Sequence, residues 1–134
     1  MSPNTDREFD VVVYGATSFV GQILCRYLVG RHGIDGPLRW AIAGRNEAKL
    51  DAVAADSGAD VPRLVADAAD RGALDELVAS ARVVVSTVGP YALHGSELVA
   101  AVVDAGRDYC DLTGEVQWMR RMIDAHQQRA EETG

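Results

Sequence analysis

Asp10-Val11-Val12-Val13-Tyr14-Gly15-Ala16-Thr17-Ser18-Phe19-Val20-Gly21 is the stretch that decides the fold. The β-branched run Asp10–Tyr14 reads as a short strand buried on both faces, the pattern of a parallel sheet. Gly15 turns the chain off that strand. Phe19 to Gly30 then reads as a helix, with Phe19, Val20, Ile23, Leu24, Tyr27 and Leu28 recurring at helical spacing as one apolar stripe. Gly30 and Gly33 supply its stop signal.

Working outward, the same alternation repeats to the end of the chain. Arg39–Ala43 is a second strand, and Asn46 caps a helix to about Asp56 that turns Leu50, Val53 and Ala54 inward. Arg63–Ala66 is a third strand. Asp70 caps the next helix, whose buried stripe is Leu74, Leu77 and Val78. Arg82–Ser86 is a fourth strand, followed by a loop over Thr87–Leu93 and a helix over Gly95–Ala105 that ends at Gly106. Asp108–Asp111 is a fifth strand. Thr113 caps a last helix, to about Glu131, with Val116, Met119, Ile123 and Ala130 on one face. Strands alternating with helices of about ten residues imply right-handed crossovers and a parallel sheet. The expected product is an α/β, Rossmann-like doubly wound sheet of order 3-2-1-4-5, one domain over residues 1–134.

Composition narrows the function classes. The 134 residues are 48% apolar and 25% charged, with a formal charge of −7. That balance argues against non-specific nucleic-acid binding and against a polybasic membrane anchor, both of which rest on clustered Lys and Arg. The two cysteines, Cys25 and Cys110, are far apart and read as buried reduced thiols. No CxxC pair or Cys/His cluster at zinc spacing occurs, so no metal site is expected. Met1–Asp10 is polar, with no apolar core of a signal peptide, and the longest apolar runs fall far short of the ~20 residues of a membrane span. A cytoplasmic protein is expected.

The turn after the first strand has what a dinucleotide pyrophosphate needs. Gly15 allows the tight turn, the small residues Ala16, Thr17 and Ser18 let the backbone come close, and Gly21 lets the helix pack onto the sheet. The helix start at Phe19 and Val20 offers free amides and a positive dipole end to phosphate. Ser18 stands where the middle glycine of the usual spacing falls, and its hydroxyl, like that of Thr17, can donate to a phosphate oxygen. Past the second strand, Gly44-Arg45-Asn46 lacks the acid that binds the ribose 2′-OH of NAD. Arg45 suits a 2′-phosphate instead, which points to NADP; the other reading is a solvated arginine beside a helix cap. Glu47 falls in the first helical turn, where its charge favours the dipole.

Asp67, after the third strand, has two readings: an acceptor for the adenine amino group, or a local turn former. The loop Thr87-Val88-Gly89-Pro90-Tyr91 lies at the switch between strands one and four, where ligands of such sheets bind. Gly89 and Pro90 are expected at the ribose and nicotinamide side. Tyr91 reads as packing or as a substrate contact, and His94 as a surface histidine or a proton donor. Asp111 and Glu115 read as helix-start residues or as groups facing the site. No residue presents itself as the catalytic acid.

Gly15–Gly21 (GATSFVG), Ala43–Arg45 (AGR), Val88–Tyr91 (VGPY) and Tyr109–Glu115 (YCDLTGE), in this order and spacing, resemble the saccharopine dehydrogenase-like oxidoreductases. The nearest branch resembles the actinobacterial trans-acting enoyl reductases, which serve polyketide and lipid synthesis. The resemblance covers Phe9 to Ala130. It implies phosphate contacts at Gly15, Thr17, Ser18, Phe19 and Val20, a 2′-phosphate contact at Arg45, and the nicotinamide near Gly89 and Pro90. Family members commonly have glycine at the position of Ser18. The resemblance further implies hydride delivery from NADPH to an unsaturated acyl thioester. It also implies a second, substrate-binding and dimer-forming domain, so that this chain is expected to bind NADP and turn over little. The reading from another class is a non-catalytic NADP-binding sensor or interaction module. The sequence speaks against an atypical short-chain dehydrogenase, since that chemistry needs a Tyr-x-x-x-Lys pair and Lys49, with Arg45 four places before it, is the only lysine.

Overall fold

The computed structural model describes residues 7–134; most of the polar N-terminal stretch read above, residues 1–6, lies outside them. Five parallel strands form one sheet in the order β3-β2-β1-β4-β5: β1 (Phe9–Tyr14), β2 (Trp40–Gly44), β3 (Arg63–Val65), β4 (Ala81–Ser86) and β5 (Asp108–Asp111). The expected order and strand positions therefore hold, with ends moved by a residue or so. The helices are α1 (Phe19–His32), α2 (Glu47–Ser57), α3 (Arg71–Ala79), α4 (Tyr91–His94), α5 (Ser96–Ala105) and α6 (Val116–Thr133).

The pleat sorts the strand side chains into two cores. Val12 pairs in register with Ala41 and Val84, and with Tyr14 these point to a layer made by Leu74, Leu77 and Val78 of α3 and Leu98, Ala101 and Val102 of α5. The alternate residues Val13, Trp40 and Ile42 point to the opposite layer, made by Cys25 and Leu28 of α1 and Leu50, Val53 and Ala54 of α2. Both faces of β1 are thus dry, which is why it reads as an unbroken apolar run. α6 lies outside these layers and reaches the rest through Trp118, which packs with Tyr91 and Val99.

Asn46 and Asp70 cap α2 and α3 as expected, accepting from the Lys49 amide at 3.0 Å and the Ala73 amide at 3.1 Å. Gly106 closes α5 in the left-handed conformation at φ 65°.

Four expectations are corrected. Of the α1 stripe, Leu24 and Leu28 pack into the core, but Phe19, Val20, Ile23 and Tyr27 do not: these are 80%, 39%, 48% and 59% exposed. The buried line is Gly21, Cys25 and Leu28. The phase is set by Gly21, where a Cβ would stand 2.3 Å from the Gly15 carbonyl oxygen, so this side of the helix must press on the turn. Likewise, Trp118 alone is buried on α6, while Val116, Met119 and Ile123 are exposed. Trp118 fixes that phase by lying over Gly95, where a Cβ would meet its ring at 2.8 Å. Cys110 is exposed, because β5 is the edge strand and its outward residue has no helix over it; Cys25 is buried as expected. Finally, the loop after β4 is interrupted by the turn of α4, so His94 ends that turn rather than entering α5.

Arg71 ties the outer helices together. It lies 2.8 Å from Asp75, 2.6 Å from Asp104 and 3.7 Å from Glu97, and Asp104 is also 3.5 Å from Arg129 of α6. The Asp104 carboxyl is held below the usual range, chiefly by its hydrogen bond from Arg71. The groups are half exposed, so solvent screens these pairs and they add little to stability.

Candidate functional site: a cleft at the strand ends

The carboxyl ends of β1, β2 and β4 open into a cleft of about 740 Å³, within the range of ~300–1,000 Å³ typical of small-molecule sites. It forms where the strand order reverses between β1 and β4, the place where a doubly wound sheet leaves its crevice. Gly15, Thr17, Ser18, Arg45, Asp67, Gly89 and His94 all line it, so residues separated by as many as 79 positions meet as the sequence suggested. The sequence reading did not single out Tyr14, Leu93, Ser96 or Glu97, which also line it.

The turn from β1 into α1 is built around one carbonyl. Gly15 has φ +86°, and a Cβ there would stand 2.4 Å from the Val88 side chain. Its carbonyl oxygen accepts the Ser18 amide at 3.0 Å, and the Gly15 and Ala16 amides go to Ala43 of β2 at 2.9 and 3.2 Å. Ala16 is fully buried with its amide so used, which places it under the cleft floor rather than on its wall. Ser18 caps α1, its Oγ accepting the Gly21 amide at 2.9 Å. Among the described residues, the amides of Thr17, Phe19 and Val20 have no protein acceptor. Free amides at a helix start, with the positive dipole end behind them, are a seat for phosphate.

Arg45 follows β2 and is exposed on the cleft wall. Among the described residues no carboxylate lies within ion-pair distance of it. Asp67 stands across from it at the end of β3. Its Oδ1 accepts the Ala69 amide at 2.9 Å and its carbonyl accepts the Asp70 amide at 2.9 Å, so it does shape the local turn. Between them Tyr14, 2% exposed, donates its phenol proton to the Ala66 carbonyl at 2.9 Å.

The fourth-strand loop contributes in two ways. The Gly89–Pro90 peptide is cis, and Gly89 faces the cleft. Tyr91 turns away from it: 6% exposed, it donates to the Ser86 carbonyl at 3.0 Å and stacks on Trp118 with ring centroids 5.4 Å apart. The packing reading is correct for this residue. Glu115 is likewise structural. Its carboxylate takes the Tyr91 amide at 2.6 Å and the Ala92 amide at 3.0 Å, capping the short helix α4. Thr113 does not cap α6 directly; its Oγ1 accepts the Glu115 amide at 3.0 Å. Asp111 accepts from the Tyr109 phenol and the Thr113 amide, which fixes the end of β5.

Two buried ionisable groups, Tyr14 beside the cleft and Cys25 in the core under α1, give the fold an alkaline limit. Burial pushes the Tyr14 phenol from 10.0 up to about 12, helped by the Asp67 charge and opposed by Arg45. Burial pushes the Cys25 thiol from 9.0 up to about 11. Both groups are held neutral in the native state, so their contribution is intact below the unfolded value and is lost as pH rises through the folded value. Urea unfolding is therefore expected to show stability falling from pH 9 for Cys25, and between 10 and 12 for Tyr14. Tyr14→Phe is expected to make that second part shallower without abolishing it, because burial also pushes up the phenols of Tyr91 and Tyr109. A profile unchanged by that substitution contradicts the burial argument.

A parallel sheet with a glycine turn opening a helix at its switch point, and with a basic residue where NAD enzymes carry an acid, defines a dinucleotide-binding domain. The chain belongs to the family described as the saccharopine dehydrogenase NADP-binding domain, whose model matches residues 11–134. Its relatives include a trans-acting enoyl reductase of Mycobacterium tuberculosis, 44% identical over 137 residues, covering 100% of this chain and 32% of that one. Another is a trans-acting enoyl reductase of Mycobacterium ulcerans, 42% identical over 134 residues, covering 98% and 31%. The chain thus spans about a third of the length of these relatives. Among solved structures it is similar in fold to apo saccharopine dehydrogenase (L-Glu forming) of Saccharomyces cerevisiae. That match has a TM-score of 0.65 and 24% identity over 86% of this chain and 24% of the other.

Proposed function

We propose that this domain holds NADP across the strand ends and presents it in a reductase. The pyrophosphate lies against the free amides of Thr17, Phe19 and Val20, with Gly15 and Gly21 making room for the turn. The 2′-phosphate meets Arg45. The adenine lies near Asp67, whose Oδ2 takes no local amide. The nicotinamide side falls at Gly89 and Pro90. Arg45 carries this reading: a guanidinium on the cleft wall without an ion-pair partner, where an acid would be needed to favour NAD.

The relatives' names support the finer part. In this reading NADPH supplies hydride to the β-carbon of an α,β-unsaturated acyl thioester, within lipid or polyketide synthesis. The domain's own work is to bind and orient the cofactor. Substrate groups, the proton donor and the contacts of a homodimer then belong to a further domain. His94 is exposed on the cleft wall. A cytoplasmic location is part of the same proposal; among the described residues no helix is long and apolar enough to cross a membrane.

The test is calorimetric titration of this chain with NADPH and with NADH, followed by an unsaturated acyl thioester added to the NADPH complex. Tighter binding of NADPH by about tenfold or more is expected, with no consumption of reduced nicotinamide by the domain alone. Equal affinities for the two cofactors would remove the role given to Arg45.

A further inference from the structure

The cleft contains a chain of hydroxyl groups that the cofactor reading does not use. Thr87 follows β4 directly and is 7% exposed. Its amide donates to the Tyr14 carbonyl at 2.9 Å. Its hydroxyl has one proton and two carbonyls in reach, Gly15 at 2.7 Å and Tyr14 at 3.3 Å. Each carbonyl already takes one backbone amide, and the Gly15 contact is clearly the shorter, so the proton goes to Gly15. Ser18 Oγ stands 3.0 Å from Thr87 Oγ1. Since the threonine proton is committed, Ser18 must be the donor in that contact. Ser18 Oγ itself accepts the Gly21 amide at 2.9 Å. The direction is therefore fixed throughout: Gly21 N–H to Ser18 Oγ, Ser18 O–H to Thr87 Oγ1, Thr87 O–H to the Gly15 carbonyl.

Two consequences follow. In this arrangement the Ser18 hydroxyl proton is turned towards Thr87. And the turn that presents free amides is held from the far side of the sheet switch, by a residue 69 positions from Ser18. We propose that Thr87 is a positioning residue for the pyrophosphate turn: it holds the Gly15 carbonyl and the Ser18 side chain so that the amides of Thr17, Phe19 and Val20 converge. This rests on the reading of the cleft as an NADP site.

Three variants and two ligands test it by calorimetry. Adenosine 2′-monophosphate carries the adenine and the 2′-phosphate but no pyrophosphate, so it reads the Arg45 end alone. Thr87→Val keeps the shape and removes the hydroxyl. It is expected to weaken NADPH about tenfold, the loss of one or two ordered hydrogen bonds, while leaving adenosine 2′-monophosphate within about twofold. Thr87→Ser restores the hydroxyl and is expected to bring NADPH back to within about twofold of the unaltered protein. Thr87→Ala, judged by the same comparison, serves should the valine variant not fold. NADPH binding unchanged in the hydroxyl-free variants overturns the proposal, as does an equal loss of both ligands, which marks general damage. An unaltered protein that binds neither ligand overturns the NADP reading itself. An unaltered protein that binds both, with no effect of Thr87, overturns only the positioning role.

Discussion

Arg45→Ala is expected to lower NADPH affinity by about 10- to 150-fold, while NADH affinity stays within about twofold. Hydrogen bonds to a charged group contribute about 1.5–3 kcal/mol, and each ~1.4 kcal/mol is a factor of ten in affinity. The residue suits so selective an effect. Its side chain is exposed and holds no ion pair among the described residues, so its removal breaks no internal contact that would disturb the turn or the sheet. What is lost is the fork that meets a 2′-phosphate, a group NADH does not have. Because the contact is open to solvent, the preference should shrink as salt is raised over the range in which the screening length falls to about 10 Å and below. Calorimetry with both cofactors at two ionic strengths checks this. A comparable loss of NADH would mean that Arg45 acts through the shape of the loop after β2.

Gly21→Ala is expected to be the most damaging single-methyl change in the chain. The added carbon would stand 2.3 Å from the Gly15 oxygen and 2.8 Å from the Ala16 Cα, both backbone atoms with no side chain to swing aside. Overpacking ordinarily costs about 1–3 kcal/mol; here the upper end is expected. That corresponds to a fall of about 10 °C in melting temperature for a domain of this size. The helix start can relieve the clash only by lifting off the turn, which spreads the free amides, so NADPH affinity should fall by about tenfold or more well below the melting temperature. Gly30→Ala is the control. It lies on the same helix with open space around it, and alanine there should raise stability by about 0.5–1 kcal/mol. Thermal melts of the two variants should therefore move in opposite directions.

Much of this was legible in the sequence because the signals were local. Strands such as Asp10–Tyr14 announce themselves by β-branching, and Asn46 and Asp70 by their capping chemistry. The alternation of strand and helix then leaves few topologies. Gly15, Ser18 and Arg45 were legible for the same reason, each standing one to four residues past a strand end. What could not be read depends on contacts distant in sequence. In α1 the apolar residues cover more than one face, and hydrophobic spacing alone favours Phe19, Ile23 and Tyr27. The true phase is set by a glycine, which has no hydropathy to weigh. In α6 a single tryptophan outweighs three smaller apolar residues, because it lies over Gly95. Glu115 looked like a helix-start acid, and only the folded loop shows its carboxylate holding the amides of Tyr91 and Ala92. The link from Thr87 to Ser18 has no sequence signal at all, since it joins two strand ends that only the sheet makes neighbours.

The outward row of Phe19, Val20, Ile23 and Tyr27 also bears on how the separate domain behaves in solution. With a charge of −7 and an isoelectric point near 4.8, molecules repel one another at neutral pH. α1 itself, however, carries Arg26, Arg31 and His32 and no acid, so that repulsion originates elsewhere on the surface and protects this row least. Colloidal behaviour and folding stability are then set by different parts of the molecule. Conditions that leave the two cores intact, such as mild acid or added salt, are those under which bare α1 faces would meet.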